Sequence, residues 1–228
     1  MAELIPDEPK YTFLSWDCAY RSLAWSYVTI YPCRLEAAEM ILRDPHHTAD
    51  ELRAAKYLMD HFIVVHDIGA ADIIGCKLAE VSELTRALAL GKWLAQSSLG
   101  QISDHGCTVL IEHQPTTISF KGGRHNNNKS PCIAHQLAIY YQGCNIIFMS
   151  PKMKDALACT EELSISKFGK TYAARKKHSV ANFKHIAGVI GMDITQLPRA
   201  MLDDIADSFL QMIAYYVQLV NTEKSARR

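Results

Sequence analysis

Apolar residues follow two rhythms along this chain, and the switches between them mark its elements. Residues 11–18 (YTFLSWDC) and 23–31 (LAWSYVTIY) are rich in β-branched and aromatic side chains. A short polar turn separates them, which predicts a hairpin. Residues 62–68 (FIVVHDI) predict a third strand. Residues 107–111 (CTVLI) and 145–149 (NIIFM) are continuous apolar runs, the pattern of strands covered on both faces. Between the strands the spacing is helical. Residues 32–61 carry Leu, Glu, Ala and Met, interrupted by Asp44 and Pro45, and predict an inserted helical element with Thr48 as N-cap for 49–59. A long helix is predicted over 78–95, a further one over 131–141, then a basic loop and a helix running to Gly191. The closing helix spans about 198–219, with Pro198 in its first turn, where a proline is tolerated. The order predicts an α/β domain, a mixed sheet with helices on both faces, over residues 11–220. Residues 1–10 and 221–228 are tails, and 32–60 is an insertion.

The chain has 228 residues, 49% of them hydrophobic and 21% charged, which suits one ordinary globular domain. No apolar stretch approaches the roughly 20 residues of a membrane span, so no membrane partner is expected. The acidic, proline-broken start (MAELIPDEPK) does not fit a signal or transit peptide. Seven cysteines without CxxC spacing read as reduced thiols, and thus as an intracellular, reducing compartment. Zinc is not expected, because the histidines and cysteines show no ligand spacing. The net charge of zero conceals segregation. Residues 121–184 hold eleven Lys or Arg against three Asp or Glu, and the remainder is correspondingly acidic. A basic block of this kind marks a polyanion-binding surface or a solvated helix face.

Four carboxylates change the picture most. Asp17 lies inside the first apolar run, Glu112 ends the run 107–112, and Asp204 and Asp207 lie three apart on the amphipathic segment 201–210 (MLDDIADSFL). Burying a carboxylate in a strand costs stability unless its charge is compensated. Converging acids are commonly compensated by divalent cations, and a two-metal site is one way to cleave a phosphodiester. An all-oxygen set suits Mg²⁺, with Mn²⁺ as a substitute. In this reading Asp17 is the central ligand, Glu112 and Asp207 hold one ion each, and Asp204 completes the site. Spacing by three places Asp204 and Asp207 on one helix face, and Asp203, four before Asp207, is the geometric rival. Taken singly, the same acids also suit helix capping or a core salt bridge.

Four strings, in order, resemble motifs of the Holliday junction resolvases of large DNA viruses (poxvirus and iridovirus type), relatives of bacterial RuvC in the ribonuclease H-like superfamily. They are FLSWDCAYRSLA at 13–24, VLIEHQP at 109–115, KTYAARKKHSV at 170–180 and LDDIADSF at 202–209. The resemblance covers about 11–217 and fits the region 32–60 least. It implies a ribonuclease H-like mixed sheet and a crossover junction endodeoxyribonuclease in viral DNA recombination. It also implies paired nicks leaving 5′-phosphate and 3′-hydroxyl ends, an acid-x-x-acid pair that selects Asp204, and a functional lysine in the basic segment. One departure is Ala19, where the family typically has glycine. Junction symmetry implies a homodimer, with the helices at 78–95 and 198–219 as candidate faces. The work site would be the host nucleus or a cytoplasmic viral replication site.

Of the basic residues, Arg175, Lys176 and Lys177 are placed to contact the scissile phosphate, with Lys177 taken as catalytic. Lys152 and Lys154 follow a strand end, where open α/β sheets bind ligands. Lys121 and Arg124 lie in the polar stretch 121–129 and Lys170 just before the basic run, all three candidates for DNA contact. His178 reads either as a proton-transfer group or as a surface residue. Tyr172 reads as core or as a platform for an unpaired base. The expected partner is branched DNA, with no nucleotide cofactor. The rival readings are another ribonuclease H-like nuclease, acting on RNA–DNA hybrids or of mitochondrial type, and a non-catalytic junction binder.

Overall fold

A computed structural model of the chain describes residues 8–18, 23–74, 81–102, 106–114, 117–120, 123–126 and 129–226. Strands β1 (Tyr11–Cys18) and β2 (Leu23–Ile30) form the expected antiparallel hairpin, and β3 (Ile63–Ala71) pairs with the far side of β2. β4 (Cys107–Glu112) lies parallel to β1, and β7 (Asn145–Met149) parallel to β4. The sheet order is therefore β3-β2-β1-β4-β7. The three parallel strands all end at the same edge, where sites of open α/β sheets collect.

β1 is buried from Phe13 to Cys18, and its alternation sorts side chains between two cores. Leu14, Trp16 and Cys18 face one core, built with α3 (Glu83–Gln96) and α4 (Lys129–Tyr140). Phe13 faces the other, built with α6 (Tyr172–Val189) and α7 (Leu202–Ala226). With period two, Ser15 and Asp17 fall on the α7 side. The two layers of helices give the mixed sheet its predicted cover on both faces.

The insertion folds as two helices, α1 (Pro32–Arg43) and α2 (Ala49–Asp60). Thr48 caps α2 in a full capping box with Glu51, so this boundary follows from side-chain chemistry already visible in the sequence. Three boundaries differ from expectation. α3 starts at Glu83 because the Ser82 side chain accepts from Thr85 N–H; 78–80 lie outside the described residues. α7 starts later, at Leu202 after a 3-10 turn, and continues to Ala226, with Glu223 accepting hydrogen bonds from Tyr11 Oη. A second hairpin, β5 (Thr117–Phe120) with β6 (Gly123–Asn126), reaches into the polar stretch 121–129. A short helix, α5 (Ile165–Phe168), precedes α6. No helix among the described residues is long and apolar enough to cross a membrane.

Candidate active site

Asp17 and Glu112 come together by strand register. β1 and β4 pair in parallel with Trp16 opposite Ile111, so the next residues, Asp17 and Glu112, stand side by side at the ends of the strands. Helix α7 crosses this edge and brings Asp207, buried on its sheet-facing side. All three carboxylates are at least nine-tenths buried: Asp17 is 4% exposed, Glu112 7% and Asp207 5%.

Two ammonium groups stand among them. Lys154, on a 3-10 turn just after β7, places Nζ 3.0 Å from Glu112 Oε1 and 3.0 Å from Asp207 Oδ2. Lys176, on α6, places Nζ 2.9 Å from Asp207 Oδ2, 2.9 Å from Asp204 Oδ1 and 3.4 Å from Asp203 Oδ2. Gln114 Nε2 donates to Glu112 Oε2, the other oxygen of that carboxylate, at 2.8 Å. Asp207 Oδ1 is buried without a hydrogen bond of normal geometry, although the Ser179 hydroxyl lies near enough to favour its ionised form. The Asp204 side chain is 16% exposed and that of Asp203 40%, so Asp204 sits deeper in the cluster.

The electrostatics record a surplus of negative charge. Burial, then the neighbouring Glu112 and Asp207, drive the Asp17 carboxyl well above its ordinary range, and Lys154 only partly opposes them. Burial would likewise raise Asp207, but Lys154 and Lys176 outweigh it and hold Asp207 below the usual carboxylate range. Burial works against both ammoniums, yet the surrounding acids reverse it and raise each above the ordinary lysine value. One buried acid is thus left without adequate counter-charge.

That surplus tests the fit of a divalent cation. The donors are all carboxylate oxygens, the set that Mg²⁺ or Mn²⁺ takes. With two ammoniums between the acids, no three described His, Cys, Asp or Glu side chains stand at cation-holding spacing. The lysines neutralise the same oxygens, Glu112 Oε1 and Asp207 Oδ2, that a cation would engage. The residues fit the group by chemistry and by charge deficit, given an exchange of ammonium for metal.

The comparisons with known proteins bear on this site. Residues 135–219 match the family model of the poxvirus A22 protein. The matched segment carries Lys154, Lys176, Asp204 and Asp207, while Asp17 and Glu112 lie before it. Three solved structures resemble the chain in fold. Fowlpox virus resolvase with substrate Holliday junction DNA shares 16% identity over 91% of this chain and 98% of that one, with a TM-score of 0.43. Thermus thermophilus RuvC shares 10% over 91% and 96%, with a TM-score of 0.49. RuvC of T. thermophilus in complex with Holliday junction substrate shares 10% over the same spans, with a TM-score of 0.44. No curated protein matches the chain.

Around the acids, the basic residues separate into two groups. Lys152, Lys170, Arg175 and Lys177 are exposed, with Arg175 Nη1 3.9 Å from Asp155 Oδ2. Lys154, a candidate DNA contact after a strand end, is 8% exposed and enclosed by acids, because its turn folds back over the strand ends. Lys177, expected to be catalytic, faces solvent, and its neighbour Lys176 reaches the carboxylates. One helical residue rotates a side chain by about 100°, which separates the two. His178 is fully buried, correcting the surface reading; its Nε2 lies 2.8 Å from Leu157 O, against the turn that carries Lys154. Lys121 and Ala19 lie outside the described residues, and for Arg124 only the backbone, in β6, is described.

Sequence reasoning missed a buried polar ladder behind the acids. Gln211, one turn after Asp207, donates from Nε2 to Ser15 Oγ at 3.1 Å, and Ser208 Oγ lies 2.8 Å from Ser26 Oγ. The available signal was polar residues at core-facing positions of both β1 and α7. These bonds set the rotation of α7 over the sheet, and with it the aim of Asp207. Gln211→Leu is expected to lower stability by about 1–2 kcal/mol, the cost of stranding a buried partner. Urea unfolding checks this; an unchanged midpoint would mean the bond does not fix the helix.

Proposed function

We propose that the chain is a divalent-metal-dependent DNA endonuclease that resolves four-way junctions, using Mg²⁺, with Mn²⁺ as a substitute. The observation that carries this is the convergence of Asp17, Glu112 and Asp207 from β1, β4 and α7 in a buried cluster short of positive charge. The motif resemblance at 13–24, 109–115, 170–180 and 202–209 supports the substrate class.

Asp17, Glu112, Asp204 and Asp207 would hold the metal. When bound, the metal supplies an activated water and neutralises the leaving oxygen of the phosphodiester. Lys176, 19% exposed at the rim, is the cation from the chain placed to meet the charge that develops on the scissile phosphate. This role replaces the one first expected for Lys177. Lys152, Lys170, Arg175 and Lys177 face solvent around the site and contact the flanking backbone.

Paired nicks on a two-fold junction require two copies of the site, so the active form is a homodimer. α7 is buried from Ile205 to Met212 and cannot supply its face there. α3 exposes Leu84 and Leu88, and α4, packed beside it, exposes Ile139, which supports this layer as the dimer face.

The test is nicking of an end-labelled mobile four-way junction in Mg²⁺, against a linear duplex and an RNA–DNA hybrid of matched sequence. Symmetric nicks confined to the junction are expected. Preference for the hybrid, or binding without nicking, would sink the proposal. Junction affinity should fall with salt, with a log–log slope of about −3 to −4 per protomer from the four exposed cations. A flat salt response would remove the basic surface from the account.

A further inference from the structure

We propose that Tyr172 is a stacking platform for a nucleobase beside the scissile phosphate, and that it helps select branched DNA over continuous duplex. The inference rests on the nuclease reading of the acid cluster and adds a residue that selects substrate.

Tyr172 opens helix α6 and is 69% exposed, packing into neither core. Other exposed aromatic side chains have local partners: Tyr57 stacks on His61 with ring centroids 4.2 Å apart, and Tyr140 Oη donates to Gly100 O. The partner of Tyr172 belongs to the site. The Lys176 ammonium lies 6.0 Å from the centre of its ring and 2.9 Å from both Asp204 Oδ1 and Asp207 Oδ2. Spacing by four on α6 places Tyr172 and Lys176 on one face, with Arg175 at spacing three beside them. A strand whose phosphate meets the acids therefore passes the tyrosine within one nucleotide's reach.

The surroundings suit a nucleic-acid strand. Lys170, Arg175 and Lys177 are exposed on either side of the ring in sequence, so the segment offers cations to the backbone and one aromatic face to a base. Single-stranded nucleic acid is commonly held this way, by a basic track with rings on which bases stack. In an unbroken duplex the base faces are already stacked on one another and give the ring nothing to cover. At a branch point a base can leave its stack, and its exposed face then pairs with Tyr172. A polar surface without the aromatic would bind both forms by their phosphates alone.

Single-turnover nicking by wild type, Tyr172→Ala and Tyr172→Phe would be measured on the junction. It would then be repeated on junctions carrying one abasic residue at each position flanking the nick. Tyr172→Ala is expected to slow nicking on the order of tenfold or more, the range of base–aromatic stacking, while Tyr172→Phe keeps the ring and the rate. At one abasic position the wild type should fall to the rate of Tyr172→Ala, and the variant should lose little further. Thermal melting should be unchanged, because the side chain is exposed. Wild-type rates in Tyr172→Ala would overturn this inference alone. So would abasic sites that slow both proteins equally at every position. A wild type that nicks no junction would take down the nuclease reading and this inference with it.

Discussion

Asp17→Asn is expected to abolish Mg²⁺-dependent nicking while making the metal-free protein more stable. The two effects share one cause. Asp17 is 4% exposed and its carboxyl is driven upward first by burial, then by Glu112 and Asp207. An acid whose pKa is raised on folding supports the fold while protonated. That support is complete below its unfolded value near 4 and is lost as pH rises through the folded value. As pH rises above the unfolded value, keeping this acid in the metal-free fold therefore costs stability, and an amide of the same shape removes the cost. Each kcal/mol recovered should raise Tm by about 2–4 °C for a chain of this size, with the gain growing from acid to alkaline pH. Added Mg²⁺ should raise the Tm of the wild type and not that of the variant, because a ligand stabilises only the state that binds it. Metal stabilisation of transition-state charge is worth several kcal/mol, so the loss in rate should be on the order of a thousandfold. Melts in EDTA and in Mg²⁺ beside single-turnover nicking would check all of this. Nicking that survives the substitution would remove Asp17 from the chemistry. A less stable metal-free variant would mean that the acid is compensated after all.

The parts of this arrangement legible in the sequence are those set by local period. The strand hairpin, the buried runs at 107–112 and 145–149 and the capped helix at Ala49 all follow from side chains within one or two turns of each other. The acids were legible because a charge inside an apolar run is out of place by itself. What local pattern did not carry was the side of a helix that a tertiary contact selects. Lys176 and Lys177 are adjacent and chemically alike, yet only the first reaches Asp204 and Asp207. That choice depends on how α6 packs on α7, through contacts such as Phe183 with Phe209. The burial of Lys154 escapes local pattern for a related reason. Its position after a strand end was plain, but its burial depends on a turn that His178 and Asn182 hold against α6 by their bonds to Leu157 O. Polar residues at core-facing positions of α7, Ser208 and Gln211, were the one missed signal within reach, and their partners Ser26 and Ser15 lie nearly two hundred positions away.

Lys154→Met is expected to have the largest effect on stability of any single change at this site. The substitution keeps an unbranched apolar stem and removes the ammonium that Glu112 and Asp207 share at 3.0 Å each. Removing one partner of a buried ion pair leaves an uncompensated charge and costs about 3–5 kcal/mol. Asp207 keeps Lys176, but Glu112 keeps no cation, only the neutral Gln114 amide and its hydrogen bond with Asp17, and Asp17 loses the cation that opposes its raised pKa. Lys176→Met should cost less, because that side chain is more exposed and Asp207 retains Lys154. The difference between metal-free and metal-bound protein then becomes the informative measurement. If Mg²⁺ takes the oxygens that Lys154 neutralises, the variant binds it without first releasing an ammonium, and its Tm should rise more on adding Mg²⁺ than that of the wild type. Equal stability of variant and wild type in EDTA would show that the lysine does not hold the acids together. A destabilised variant that Mg²⁺ fails to recover would place the metal elsewhere than on Glu112 and Asp207.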